Sequence, residues 1–199
     1  MRPTLLAITL ALLPVASYAA TTAGQPAAEA PHVHGSLAPH EHGTARLDVA
    51  LDGQTLALDL DSPGMNLVGF EHAPASDADR AAIAKARELL AAPLQLFDLP
   101  ASAKCSVTRQ ELQSPLFGNA APQPAEHDEG EDQDADHHAH SDVDGHFQFH
   151  CEHPEALAGL DLTRFLAAFP ATHKVLVQAI TPNGQAALEA EPGNSKLAF

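Results

Sequence analysis

Two runs of alternating leucine and polar residues, separated by Asp52-Gly53, constrain the fold of this chain more than any other feature. The apolar positions are Leu47, Val49 and Leu51 in the first run and Leu56, Leu58 and Leu60 in the second. A period of two is typical of a strand with one buried face, and Asp-Gly favours the tight turn of a hairpin. The sequence therefore predicts an antiparallel hairpin whose leucine-rich face is buried.

Two helices and four further strands are predicted along the rest of the chain. Ser76 and Asp79 form a capping box for a helix to about Ala92, and Asp161 can cap a shorter helix over residues 162–169. Residues 65–72 are expected to be a loop. The strands are predicted over residues 105–112, 146–151, 174–180 and 185–191. This order lacks the strict alternation of a doubly wound sheet. We therefore expect one α+β domain over residues 43–199, with a mostly antiparallel sheet of about six strands and both helices on one face.

An acidic, histidine-containing insertion, residues 115–145, interrupts this pattern. Between Glu126 and Asp144 there are nine acidic residues, four histidines and no lysine or arginine. Such a stretch repels itself and has little to bury, so we expect it to be disordered. Imidazole together with carboxylate suits zinc, and the predicted ligands are His127, His137, His138 and His140. The alternative is an acidic loop that only solubilises the protein.

A second group of histidines precedes the first strand. His40 and His42 are two positions apart, so in an extended chain both face the same side at a spacing of roughly 6.5–7 Å. Both can approach one ion, and His72 is the natural third ligand; the alternative for His72 is a hydrogen bond to a backbone carbonyl. His146 is a weaker candidate ligand, since roughly 13 Å separates it from His150 on the same strand face.

Cys105 and Cys151 are the two cysteines of the chain. In an oxidising compartment we expect them to form a disulfide bond that holds both ends of the insertion near one edge of the domain. The alternative is a pair of free thiolates that bind zinc.

The N-terminus is typical of a secretory signal peptide. Arg2 provides a positive start, and Ser17-Tyr18-Ala19 provides the small residues that a signal peptidase reads. The apolar run over residues 5–15 is too short for a bilayer, which needs about 20 residues. We expect residues 1–19 to be removed, residues 20–42 to form a disordered histidine-containing linker, and the mature protein to work in the periplasm without membrane insertion.

Charge and motifs narrow the function. The chain has 26 acidic residues against 10 lysines and arginines, so nucleic acid and anionic membranes are poor partners and cations are good ones. It lacks the zinc-protease helix motif, the nucleophile elbow and the phosphate-binding glycine loop. We therefore expect a binding protein without catalytic activity.

Two stretches of the sequence resemble the ZrgA family of periplasmic zinc-binding proteins. One is His-Glu-His-Gly at residues 40–43, and the other is Leu-Asp-Ser-Pro-Gly-Met-Asn-Leu-Val-Gly-Phe-Glu-His-Ala-Pro at residues 60–74. Phe169-Pro170 and the turn at residues 181–185 fit as well, and the likeness extends from His40 to the C-terminus. The resemblance implies a zinc-regulated, secreted protein that works with a zinc importer of the ATP-binding-cassette type. It matches His40, His42 and His72 to positions of the family's motif.

Taken together, these features predict a periplasmic protein that captures zinc and traffics it to an ATP-binding-cassette import system. Two alternatives remain open. One is a binding protein for nickel, cobalt or copper, because imidazole-rich sites do not discriminate among these ions by ligand type. The other is an interaction module whose acidic loop docks a basic partner without any metal.

Overall fold

A computed structural model describes residues 41–119 and 141–199, which belong to one compact unit. The predicted signal peptide, the predicted linker up to residue 40 and residues 120–140 of the acidic insertion lie outside the described residues. None of the helices within the described ranges is long and apolar enough to cross a membrane.

The first two strands form the predicted hairpin. Strand β1, Thr44–Asp52, runs antiparallel to β2, Thr55–Pro63, and Asp52 pairs with Thr55 across a two-residue turn. Gly53 in this turn has φ +56°, a conformation that glycine adopts without steric cost. The predicted apolar face is buried at Leu47, Val49, Leu56, Leu58 and Leu60, with at most 3 % of any of these residues exposed.

Six strands form one sheet in the order β3-β4-β2-β1-β6-β7. The strands after the hairpin are β3, Cys105–Gln113; β4, Asp142–Cys151; β5, Gly159–Asp161; β6, Lys174–Thr181; β7, Gly184–Ala190; and β8, Lys196–Ala198. Strands β5 and β8 pair in a separate two-stranded sheet that the sequence did not predict.

The six-stranded sheet is mixed, so the expectation of a mostly antiparallel sheet holds for all neighbouring pairs of strands except one. Strands β1 and β6 run parallel, whereas every other neighbouring pair is antiparallel. Strand β4 already runs in the direction of β1, because both are antiparallel to β2. Residues 152–173 then carry the chain back across the sheet, and a crossover of this kind is what parallel pairing requires.

Four helices lie within residues 41–119 and 141–199, whereas the sequence predicted two. They are α1, Gly64–Val68; α2, Asp77–Leu90; α3, Pro93–Leu96; and α4, Thr163–Ala168. Helix α1 replaces part of the predicted loop, and α3 begins at Pro93, which was expected only to end α2. Both are a single turn long, too short for an apolar period to be visible, and in each a proline at or just before the first turn supplies a suitable φ.

The predicted capping box of α2 is confirmed. The Ser76 hydroxyl accepts a hydrogen bond from the Asp79 backbone N–H at 3.1 Å, and the Asp79 carboxylate accepts one from the Ser76 N–H at 2.9 Å. The backbone hydrogen bonds from Ser76 and Ala75 lower the pKa of Asp79. As predicted, Ile83, Ala86 and Leu90 form the buried face, and the helix ends at Leu90, two residues before the predicted end.

The core lies between the helices and one face of the sheet. Phe147 of β4 packs edge-on against Phe97 at 5.3 Å between ring centroids, and Phe97 stacks on Phe165 of α4 at 6.0 Å. Phe147, Phe149 and Cys151 of β4 are buried on this face. The opposite face of the sheet carries the alternating exposed residues and is called the outer face below.

The disulfide bond between Cys105 and Cys151 is confirmed, and it rules out the free-thiolate alternative. Its predicted position was wrong. The two residues pair at the first position of β3 and the last position of β4, whereas the insertion joins the other ends of these strands. The bond therefore lies roughly 26 Å from the insertion, given a strand rise of about 3.3 Å per residue.

The boundaries of the insertion are also narrower than predicted. Strand β4 begins at Asp142, four residues before the predicted start at His146, and residues 115–117 form a short 3-10 helix. The acidic residues Asp142 and Asp144 alternate with the buried Val143 and Gly145, so this stretch is a strand whose polar face resembles the low-complexity sequence before it.

Asp161 supports α4, although not in the predicted position. The helix begins at Thr163, and Asp161 accepts hydrogen bonds from the Thr163 N–H at 2.9 Å and its hydroxyl at 2.6 Å. Lys196 of β8 lies 3.3 Å from the same carboxylate. Burial raises the pKa of Asp161, but the hydrogen bonds from Thr163 and Lys196 outweigh it and lower the pKa from 3.8 to about 2.

We predict that Asp161→Asn destabilises the protein by about 2 kcal/mol at pH 7, because a lowered pKa stabilises the fold wherever the carboxylate is ionised. The contribution of the Asp161 carboxylate to the free energy of unfolding is fully present above the unfolded pKa near 3.8 and is lost as the pH falls through about 2. The difference in the free energy of unfolding between variant and wild type should therefore shrink to about half by pH 3. Urea denaturation at a series of pH values measures it. A difference that is constant with pH would contradict the assignment.

Candidate metal-binding site

Asn66 of α1 fixes the segment that leads into β1. It is 2 % exposed, and its Oδ1 accepts a hydrogen bond from the Gly43 N–H at 2.7 Å. Its Nδ2 donates to the Thr44 carbonyl at 2.9 Å and to the Ser62 hydroxyl at 3.3 Å. Unpaired polar groups at a buried position cost about 1–3 kcal/mol each, so this amide holds the chain firmly next to His42.

His42 lies beside Glu71, a residue that the sequence analysis did not name as a ligand. The His42 Nε2 atom is 3.1 Å from the Glu71 carboxylate, and the side chains are 58 % and 36 % exposed. Imidazole nitrogen and carboxylate oxygen are both zinc ligands. The pair thus places two suitable donors at one solvent-accessible point.

His72 makes the backbone contact that was the alternative to metal binding. Its Nδ1 lies 3.0 Å from the Ala73 carbonyl oxygen, and its ring stacks on Phe70 at 4.7 Å. A carbonyl can only accept, so Nδ1 carries the hydrogen and Nε2 of the neutral ring has the lone pair that a metal requires. The contact therefore orients His72 without using the nitrogen that would bind metal. His72 contacts Phe70 and Ala73 rather than His42.

Both ends of the insertion contact the segment that carries Phe70 and Glu71. The Ser141 hydroxyl donates to the Glu71 backbone carbonyl, and Leu116 packs with Phe70 and Ile83. Gly64 allows this approach, because a Cβ at that position would collide with the Ser141 carbonyl oxygen and lie 2.7 Å from Leu116.

His173 is a third imidazole at this end of the sheet, and the sequence analysis did not include it as a ligand. A Cβ on Gly43 would lie 3.0 Å from its Nδ1, so the exposed ring of His173 lies against the residue that follows His42. The parallel pairing of β1 and β6 brings these two strand starts together. Only knowledge of that pairing would have pointed to His173.

The remaining predicted ligands are elsewhere. His146 lies on the outer face of β4, where its Nδ1 is 2.7 Å from Asp59 of β2. His40, His127, His137, His138 and His140 lie outside the described residues. Within the described ranges, no three histidine, cysteine, aspartate or glutamate residues are gathered so that they could already hold a metal ion.

An exposed imidazole–carboxylate pair, with His72 next in sequence to Glu71 and His173 against Gly43, is the candidate site of a transition-metal-binding protein. The sequence comparison agrees with this class. Residues 39–199 match the family described as ZrgA family zinc uptake protein. The chain belongs to this family, which confirms the resemblance and gives the protein a zinc-related role. No match to a curated protein was found.

We predict that Gly64→Ala destabilises the protein by about 1–3 kcal/mol, the usual cost of overpacking, because the added methyl group meets Ser141 and Leu116. Urea denaturation measures the loss. Gly53→Asn is the control: a Cβ there has nothing within 4 Å, and asparagine tolerates a positive φ. Equal midpoints for Gly64→Ala and wild type would show that the contact between α1 and the end of the insertion is not tight.

Proposed function

We propose that this protein binds zinc in the periplasm at the end of the sheet that carries His42, Glu71 and His72, collects further zinc on its acidic insertion, and passes the metal to an importer of the ATP-binding-cassette type. The observation that carries the proposal is the 3.1 Å approach of His42 to Glu71 in a chain of a zinc uptake family. The proposal covers the compartment, the ligands and the delivery partner.

The exposure of the pair suits a cargo site. Structural zinc sites are closed by four protein ligands and contribute to folding, whereas a site that must release its ion keeps an open position. His42 and Glu71 are each at least one-third exposed. A receiving protein can therefore reach the metal from solvent. The fixed backbone next to His42 limits the entropy lost when the ligands close on the ion.

The insertion supports capture of zinc by charge and by tethering. Its seven acidic residues between Glu126 and Asp136 attract cations, and its four histidines give them borderline ligands. Since Leu116 and Ser141 are held at Phe70 and Glu71, the insertion is attached at both ends beside the proposed site. Tethered ligands act at an effective concentration that can reach millimolar values.

The compartment is inferred from two features. Residues 1–19 have the pattern of a signal peptide, and the disulfide bond between Cys105 and Cys151 is a bond that persists in oxidising compartments. Delivery to an ATP-binding-cassette importer rests on the family's description as zinc uptake proteins.

We predict that His42→Gln and Glu71→Gln each weaken zinc binding at the tightest site by at least about tenfold, since each removes one of few ligands. Isothermal titration calorimetry of the mature chain measures the change. His150→Gln is the matched control, because His150 is also an exposed histidine but its direct cross-strand neighbours are Thr55 and Ser106. Wild-type affinity in the His42→Gln/Glu71→Gln double variant would overturn the site assignment. Tighter binding of nickel or cobalt than zinc would favour the other-metal alternative.

We predict that replacing residues 120–140 by a glycine-serine linker of the same length lowers the number of zinc ions bound and leaves the tightest site intact. The replacement removes the insertion histidines while Leu116 and Ser141 keep their contacts. Calorimetry gives the stoichiometry, and urea denaturation checks that stability is unchanged. An unchanged stoichiometry would exclude the capture role of the insertion.

A further inference from the structure

A row of three side chains on the outer face combines an imidazole with a carboxylate on each side. In the sheet register, His146 of β4 lies directly opposite Asp59 of β2 and Glu111 of β3. Directly opposite positions place Cβ atoms about 4.5–5.5 Å apart, so His146 is within reach of both neighbours. This row is remote from His42: Asp59 pairs with Asp48, which lies roughly 13 Å along β1 from Thr44 at about 3.3 Å per residue, and His42 precedes Thr44.

His146 is oriented by Asp59. Its Nδ1 lies 2.7 Å from the Asp59 carboxylate, and the two side chains are 47 % and 56 % exposed. A divalent ion can replace the proton that the two groups share, which makes both of them ligands.

The Glu111 carboxylate forms an ion pair with the Arg109 side chain of the same strand. Arg109, two residues before it on the same strand face, donates from Nε at 3.0 Å and from Nη2 at 2.9 Å to the two carboxylate oxygens. The register of β3 shifts by one residue between Val107 and Arg109, which places Arg109 and Glu111 opposite Gln148 and His146 on the outer face. Arg109 thus neutralises a carboxylate that would otherwise face His146 and Asp59 as a third ligand.

A cavity of about 350 Å³ opens over this row. Asp59, Glu111 and His146 line it together with Arg109, and the short side chain of Ala57 leaves space beside them. The cavity and the His146–Asp59 pair are independent observations that point to the same place. A hydrated metal ion has room to enter without movement of the backbone.

We propose that His146, Asp59 and Glu111 form a second binding site for a divalent transition metal, in which the ion displaces the Arg109 guanidinium from Glu111. No three ligands in the described part of the chain are already gathered around one point, so this site completes only when Glu111 leaves Arg109. His146 lies on the strand between the two carboxylates. An ion in the plane of its ring at Nδ1 would take Asp59 as a second ligand, and Glu111 as a third once that side chain turns away from Arg109. One nitrogen and two carboxylate ligands fit zinc, cobalt or nickel.

NMR titration of the full mature chain with zinc tests this proposal at the residues themselves. We expect the His146 ring signals and the Arg109 Nε–H signal to shift together as zinc is added. The variant His146→Gln should abolish the shift of the Arg109 signal. The variant Arg109→Gln should lower the zinc concentration at which the His146 signals are half-shifted by about two- to fivefold, because it removes the exposed ion pair that competes for Glu111.

His150→Gln provides the control, since His150 lies on the same face of the same strand without a carboxylate directly opposite. Unchanged His146 and Arg109 signals at a zinc concentration that saturates the His42 signals would overturn the second site and leave the first intact. His42 signals that do not shift with zinc, while the His146 signals do, would overturn the first site and leave the second intact. If His150→Gln abolished the zinc-dependent shift of the Arg109 signal as completely as His146→Gln does, the proposal would also be overturned, because the effect would not be specific to His146.

Discussion

The hydrogen bonds around Gly43 are the constraint on which the proposed metal site depends. Its N–H donates to the buried Asn66 side chain, and its carbonyl accepts from the backbone N–H groups of both His173 and Lys174 at 2.8 and 2.9 Å. Its φ of +86° and its contact with the His173 ring leave no place for a side chain. Gly43 therefore joins α1, β1 and β6 at one point, and the residue before it, His42, takes its position from all three.

This junction explains why an exposed histidine can still be well positioned. Surface imidazoles on flexible segments lose conformational freedom when they bind metal, and that loss weakens binding. Here the backbone on the C-terminal side of His42 is already fixed, while Glu71 is placed by the short helix α1 and by the hydrogen bond from Ser141 to its carbonyl. The ligand atoms remain open to solvent. A fixed backbone with exposed donor atoms combines affinity with exchange, as the proposed transfer of zinc requires.

Local sequence patterns predicted the local features of this fold. The Asp-Gly hairpin and the α2 capping box were correct because each is decided within a few residues. The parallel β1–β6 pair, the contact between His42 and Glu71 and the approach of His173 to Gly43 were not predicted, because they join segments distant in sequence. The disulfide pairing was correct and its position wrong: the strands predicted over residues 105–112 and 146–151 already separate Cys105 and Cys151 from the insertion by their own length. Strand β4 begins with acidic residues on its polar face, so its first four residues were attributed to the insertion.

The acidic excess of the chain gives both proposed sites a common energetic basis. With 26 acidic residues against 10 lysines and arginines, the folded chain repels itself, and each carboxylate that faces an imidazole adds to a local negative potential. His42 with Glu71, and His146 with Asp59, are two places where an imidazole already contacts a carboxylate. A divalent cation bound at either place removes repulsion as well as forming ligand bonds. An ion that bound only the folded state would stabilise it in proportion to the logarithm of its concentration, so zinc at either proposed site would couple metal binding to folding stability.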